Sequence, residues 1–197
     1  MIEDILVNFN WVDILIAIVI IRMIYTGSKS NILVEFLALL GIVIANFVTV
    51  HYYVYFADFL NAQLFMPEAV QDFIAFLLLW LTVYIAFKLI ISGWTLIIKA
   101  QAHPALDQWG STLFSFVRSL FVSGMIFLLL LVSGSHYLQK IAKQSFTGFY
   151  LLDFSPKMYK YCYDNLVVKF FPNEVLNEYA FDALDVDIHK KSPQKKK

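Results

Sequence analysis

Long runs of apolar residues with few charges follow one another along the chain as far as residue 135. A bilayer core of about 30 Å needs roughly 20 helical residues, because each residue of an α-helix rises about 1.5 Å. Four runs meet or approach that length, at residues 11–25, 32–50, 73–98 and 112–132. Each run is continuous, whereas the strands of a membrane barrel alternate apolar with polar residues. The pattern predicts an all-α membrane protein with a domain of four transmembrane helices over residues 1–135.

The pattern becomes amphipathic after the fourth run, and residues 136–181 form an aromatic-rich tail. Over residues 136–147, one predicted helical face carries Leu138, Ile141, Ala142, Ser145 and Phe146. Lys140, Lys143 and Gln144 lie elsewhere on that helix. Amphipathic helices of this kind lie along a membrane surface or dock onto a partner. We therefore predict a C-terminal amphipathic helical tail in one of these two positions.

Two more helices are predicted within this tail. Ser155 followed by Pro156 is typical of an N-cap and the first position of a helix, which we place over residues 157–171. A short helix is predicted over residues 173–179. Residues 182–197 are rich in lysine and poor in aromatic side chains, which predicts disorder.

The connections between the predicted spans differ in length and composition. Residues 26–31 are few enough to make the first two helices an antiparallel hairpin. Residues 51–72 contain no lysine or arginine and are rich in tyrosine and phenylalanine, which is typical of an aromatic belt at a membrane interface. Basic residues near the spans lie mainly on the side of the first and third connections, and such residues favour the cytoplasm. The balance places both termini outside the cytoplasm.

Composition supports a membrane environment. Hydrophobic residues make up 60% of the chain and charged residues 15%, and the mean hydropathy is +0.68. Soluble domains contain about 45–50% apolar and about 25% charged residues, so we expect the lipid bilayer to cover the excess apolar surface. The formal net charge of zero gives no indication of nucleic-acid binding. The single cysteine, Cys162, excludes an intramolecular disulfide.

Charges inside apolar spans invite a functional explanation, because each costs about 2.5–3.5 kcal/mol near the bilayer centre on insertion scales. Four of them stand at the same predicted level of the membrane, namely Arg22, Glu35, Asp107 and Arg118. Arg22 and Glu35 flank the first turn, where an ion pair between them is geometrically easy. The group indicates a polar cap that fixes helix packing, with an ion pathway and partner recognition as alternatives. Lys88 either reaches the interface from the end of the third span or is a buried functional residue.

Small residues recur at every fourth position of the fourth span, at Ser111, Ser115, Ser119 and Ser123. A column of small residues lets another helix approach closely, and the hydroxyls can hydrogen-bond across the contact. We predict a helix–helix seam here. Its partner is the second helix, the third helix or another copy of the chain.

Motifs of enzymes are missing from the sequence. It contains no glycine-rich phosphate loop, no HExxH, no GxSxG and no cysteine or histidine spacing of a zinc site. The four histidines are scattered over both sides of the predicted membrane. We therefore expect a protein that is not an enzyme and has no metal, no cofactor and no small-molecule substrate.

Three groups of residues nevertheless resemble the sequence pattern of a known protein family. They are Asn10-Trp11-Val12-Asp13, then Gly27, Glu35 and Leu40-Gly41, and finally Asp107, Ser111, Ser115, Arg118 and Ser119. In this order along the spans they resemble the colicin V production (CvpA) family of bacterial inner-membrane proteins. Serines stand where the family has glycines after the aspartate. Gln108 and Val34 stand where it has arginines.

The resemblance implies a bacterial inner-membrane protein that is associated with colicin V toxin production or export and with envelope integrity. In such a membrane, the distribution of basic residues places both termini in the periplasm. The polar and family-motif positions are then Asp13, Arg22, Gly27, Glu35, Gly41, Asp107 and Arg118. We expect non-enzymatic action through helix packing and through contacts with an envelope protein or within a homo-oligomer. The alternative is a small oligomeric transporter or channel subunit. Its polar path would be lined by Asp13, Glu35, Lys88 and Arg118.

Overall fold

The chain is helical over the residues that its computed structural model describes, which are 9–63, 67–97, 104–171, 173–177 and 181. The four long helices are α1 (Trp11–Gly27), α2 (Ile32–Gln63), α3 (Glu68–Ile97) and α4 (Pro104–Val132). Shorter helices follow as α5 (His136–Gln144), α6 (Phe146–Leu151) and α7 (Phe154–Cys162). A π-helical turn (Tyr163–Val167) then leads into α8 (Val168–Phe170). The predicted all-α class is confirmed for this part of the chain.

Three of the long helices are apolar enough and long enough to cross a membrane. The stretches concerned are Ile32–Ala62 in α2, Val70–Trp94 in α3 and Asp107–Val132 in α4. The first predicted span, α1, is also apolar but has only 17 residues. Those residues rise about 25 Å, which is less than a bilayer core of about 30 Å. α1 begins at a capping box, in which the Asn10 side chain accepts a hydrogen bond from Val12 N and Asp13 accepts one from Asn10 N.

The second predicted connection is wrong over most of its length. Residues 51–63 continue α2 as helix instead of forming a loop, and α3 already begins at Glu68. The physical reason is that no glycine or proline interrupts the sequence between Gly41 and Pro67, so nothing ends the helix. The third connection is likewise shorter than predicted, because α4 begins at Pro104. Proline is favoured in the first turn of a helix.

α4 packs against both α1 and α2, and α3 packs mainly against α2 and less extensively against α4. Gly27 at the end of α1 meets Ser115, while Val12 at its start shares an apolar cluster with Phe127, so α1 and α4 are antiparallel. The predicted antiparallel hairpin of α1 and α2 is therefore not a packed pair. The two helices are joined by four residues, but α1 packs mainly against α4, and α2 packs against α3 and α4.

The segment predicted as an amphipathic tail packs back onto the bundle, with α6 against α1 and α7 against α2 and α4. Ser155 and Tyr159 in α7 are fully buried or nearly so. The predicted N-cap at Ser155 is wrong, because the N-cap is Asp153, two residues earlier, and the Ser155 hydroxyl is turned into the bundle. Residues 173–177 are not helical, contrary to prediction. The predicted disordered segment, 182–197, lies outside the described residues.

Candidate functional site

A buried ion pair joins α2 to α4 beside the end of α1. Arg118 Nη1 lies 2.9 Å from Glu35 Oε2, and the two side chains are 14% and 6% exposed. The hydroxyl of Ser115 lies 2.9 Å from the same carboxylate oxygen. A buried charge is tolerated only with a close partner and further hydrogen bonds, and Glu35 has both. The pair therefore fixes the rotation of α2 against α4.

Gly27 and Asp107 complete this site, which we call the Glu35 cluster (Gly27, Glu35, Asp107, Ser115 and Arg118). A Cβ atom on Gly27 would overlap the Ser115 side chain and lie 3.3 Å from the Glu35 carboxyl carbon. Only glycine leaves room for α1 to end there. Asp107 Oδ1 accepts a 3.3 Å hydrogen bond from the backbone N–H of Ile32, the first residue of α2. It thus binds an N–H group that a helix leaves free at its start.

The predicted serine column is buried along its whole length, since Ser111, Ser115, Ser119 and Ser123 are each 0% exposed. At Ser115 the facing groups are Gly27 of α1 and Glu35 of α2, both in the same chain. Ser119 donates to a backbone carbonyl of its own helix, at Phe116. The Ser123 hydroxyl is buried without a hydrogen-bond partner. At Ser115 the column therefore allows close packing between helices of the same chain. The hydrogen bond from Ser115 to Glu35 crosses from α4 to α2.

The predicted ion pair between Arg22 and Glu35 is wrong. Arg22 lies on the exposed side of α1, whereas Glu35 is buried against α4 and pairs with Arg118 there. Lys88 is exposed on α3. Of the four charges assigned to a polar path, the structure therefore brings together only Glu35 and Arg118.

Two further predicted positions have packing roles elsewhere in the bundle. Asp13 lies at the opposite end of α1 from Gly27, where its Oδ1 accepts hydrogen bonds of 2.7 and 2.6 Å from the N–H and hydroxyl of Thr147. Asp13 thus ties α6 to α1. A Cβ atom on Gly41 would lie 3.1 Å from Phe87 Cβ, so Gly41 allows the close contact between α2 and α3.

A second polar network, which the sequence analysis missed, holds α7 and residues 173–177 against α2. Asn46 donates a 2.7 Å hydrogen bond to the Ser155 hydroxyl. His51 lies 2.8 Å from the Tyr159 hydroxyl through Nδ1 and 3.2 Å from Glu174 Oε2 through Nε2. The signal available was a pair of polar residues, Asn46 and His51, within an otherwise apolar helix. Both need buried partners.

The Tyr159 hydroxyl is shared between two partners in this network. Its oxygen accepts a 3.0 Å hydrogen bond from Asn177 N–H and lies 2.8 Å from His51 Nδ1. Burial raises the pKa of Tyr159 to about 12, which keeps that hydroxyl protonated. Asn177 adds a 2.6 Å hydrogen bond to the backbone carbonyl of Val50.

We expect Tyr159→Phe to release residues 173–177 from α2. The change removes the 2.8 Å contact of buried His51 Nδ1 and the 3.0 Å hydrogen-bond acceptor of Asn177 N–H, a loss that costs about 1–3 kcal/mol. In purified protein, cleavage after Glu174 by a glutamate-specific protease should be about tenfold faster, because cleavage follows the population of the open state. Tyr161→Phe is the matched control, since Tyr161 is 64% exposed and the substitution removes the same atom. Equal cleavage rates in the two variants would contradict this role of the hydroxyl.

The chemistry of the two networks is that of packing and orientation. Within the described residues, no three histidine, cysteine, aspartate or glutamate side chains group in a way that could hold a metal ion. Glu35 and Arg118 neutralise one another, and Tyr159 is buried at 1% exposure. Each of these groups is thus engaged with a neighbour in the same chain.

Comparison with known proteins gives one match. The profile of a family described as "Colicin V production protein" matches residues 12–156, which is well over half of the chain. The match includes α1 to α6 and the first residues of α7, and so both the Glu35 cluster and the Asp13–Thr147 contact. The chain has no significant match among curated proteins or among solved structures.

Proposed function

Since this chain belongs to the colicin V production protein family, we propose that it acts in the bacterial inner membrane in toxin production or export and in envelope homeostasis. Its mode of action is non-enzymatic: the bundle is a scaffold that binds a partner protein of the envelope. The observation that carries this proposal is the family match, together with a buried Glu35 cluster whose polar groups are engaged in packing.

In this proposal α1 is the fourth transmembrane helix. Its outward side chains are apolar and exposed, among them Ile18 at 59% and Ile21 at 68%, as expected of a surface that faces lipid. The hydrogen bonds from Thr147 to Asp13 bring the start of α1 and the tail to the same side of the bundle. We assign that side to the periplasm, because the basic residues Arg22, Lys29 and Arg118 lie toward the other one.

Exposed aromatic side chains of the C-terminal segment supply the surface for a partner. Phe149 in α6 is 83% exposed and Phe170 in α8 is 73% exposed. Aromatic side chains are enriched among the residues that carry binding energy in protein interfaces. They lie on the side of the bundle where an exported protein would arrive.

The test combines toxin release with copurification. In a colicin V-producing host that lacks its own family member, the intact chain should restore toxin release. The double variant F149S and F170S should retain its partner about tenfold less well after gentle detergent extraction, because aromatic anchors contribute at least about 1.4 kcal/mol. Trp109→Ser is the matched control, since Trp109 is 78% exposed but lies in the first turns of α4, toward the other side. Recovery of the intact chain alone, with no effect on toxin release, would refute the proposal.

A further inference from the structure

The chain turns back along the bundle after α4 ends. Gly134 at the turn has a φ of 65°, a left-handed conformation that suits glycine. After this turn, the Gln139 side chain donates a hydrogen bond to the backbone carbonyl of Leu131. The backbone carbonyl of Ile141 accepts a hydrogen bond from the Asn10 side chain. Leu151 at the end of α6 then packs with the apolar cluster of α1 and α4. α5 and α6 therefore run beside the spans, not away from them.

The chain reverses between α6 and α7 and returns to the level where it left the bundle. At the start of α7, the rings of Phe154 and Phe121 have centroids 4.9 Å apart, and a Cβ atom on Gly124 would lie 2.5 Å from the Ser155 hydroxyl. Further along α7, Tyr159 meets His51. Residues 136–162 thus form a helical hairpin, which we call the α5–α7 hairpin. Its tip lies at residues 152–155.

The contacts of the tip set its depth. Gly124 lies eight residues before Val132, the last residue of α4, and Phe121 lies eleven residues before it. At about 1.5 Å per residue these positions are about 12 and 16 Å inside the end of the span. Half of a bilayer core is about 15 Å. The tip therefore reaches the neighbourhood of the bilayer midplane.

Two charged side chains are exposed at the tip and in the first turn of α7 that follows it. Lys157 Nζ lies 3.0 Å from Asp153 Oδ2, and the side chains are 76% and 56% exposed. In hydrocarbon each charge would cost about 2.5–3.5 kcal/mol. Irregular backbone at this depth is tolerated only where protein buries it or where it lines a water-filled cavity. The inner side of the tip is buried at Ser155, so the open side requires water.

We propose that the α5–α7 hairpin is a re-entrant element and that the face of α7 with Asp153, Lys157 and Lys160 lines a water-filled crevice, which opens on the side where α1 begins and reaches near the bilayer midplane. Its occupant is water. The charges of Asp153 and Lys157 already satisfy each other, so they offer no unmatched charge to a second copy of the chain. Lys160 in the next turn of α7 is also exposed, which extends the polar face toward the mouth of the crevice.

Cysteine accessibility in membranes tests this proposal. In the full chain carrying Cys162→Ser, single cysteines are introduced at Asp153 and, separately, at Lys157. Matched lipid-facing controls are I18C in α1 and L81C in α3, which are 59% and 41% exposed in the native chain. N173C serves as the reference for the side of the bundle on which α1 begins. Labelling with a membrane-impermeant maleimide is measured in intact cells and in inverted vesicles, because only a thiol in contact with water forms the reactive thiolate.

We expect D153C and K157C to be labelled from the same side as N173C and about a hundredfold faster than I18C and L81C, since hydrocarbon suppresses thiolate formation. Labelling as slow as in those two controls would overturn the proposal in favour of lipid contact. Oxidative crosslinking of D153C or K157C into a dimer, with labelling blocked, would overturn it in favour of a second copy. The result is independent of toxin release, so its failure leaves the proposed function standing.

Discussion

Replacing Arg118 with alanine is expected to lower the free energy of unfolding of the bundle by about 3–5 kcal/mol, because it leaves a buried carboxylate without its counter-charge. Glu35 is 6% exposed and keeps only the Ser115 hydroxyl as a close partner in that variant. The effect can be measured from unfolding in mixed detergent micelles followed by circular dichroism. Lys140→Ala is the matched control: it removes one positive charge from an exposed position outside the four long helices. Its expected effect is below about 1 kcal/mol.

A double-mutant cycle separates the ion pair from general damage to packing. Glu35→Ala removes the other partner, and the double variant removes both charges. Because replacement of a whole buried pair by apolar groups is often close to neutral, the double variant should be less destabilised than the sum of the two single variants. Strict additivity would show that Glu35 and Arg118 do not depend on each other for stability.

Gly27→Ala is expected to destabilise the protein by about 1–3 kcal/mol, although alanine is the better helix former by about 1 kcal/mol. The added Cβ atom would overlap the side chain of Ser115, so α1 must move away from α4. Gly93→Ala is the control within the same protein, because no atom lies within 4 Å of a Cβ atom built there. That variant should be unchanged or more stable in the same unfolding measurement.

A compensating change makes the steric cause of the Gly27 effect testable. With Ser115→Gly as the reference chain, Gly27→Ala should lose most of its destabilising effect, because the overlapping side-chain atoms are gone. Persistence of the full effect in that background would show that Gly27 serves another purpose, such as the conformation of the turn that follows α1.

The sequence predicted the members of the Glu35 cluster but not all of their pairings. Glu35, Asp107, Ser115 and Arg118 could be singled out, because charges and small residues stand out against apolar spans. Arg22 was assigned as the partner of Glu35 because it is near in sequence, whereas the structure pairs Glu35 with Arg118 and with Ser115, which is 80 residues away. Sequence distance is a poor guide once a third helix packs against both neighbours. The network of His51, Tyr159 and Glu174 was missed for the same reason.

The sequence by itself determined that the chain forms long apolar helices and which face of α4 is buried. Both follow from local rules: apolar runs without an interior proline continue as helix, and small residues four positions apart share one face. The tertiary structure alone decided that α1 and α2 both pack against α4, that Arg118 neutralises Glu35, and that the amphipathic segment folds back into the bundle. Those outcomes depend on which surfaces pack best among residues far apart in the chain, and no local pattern encodes that choice.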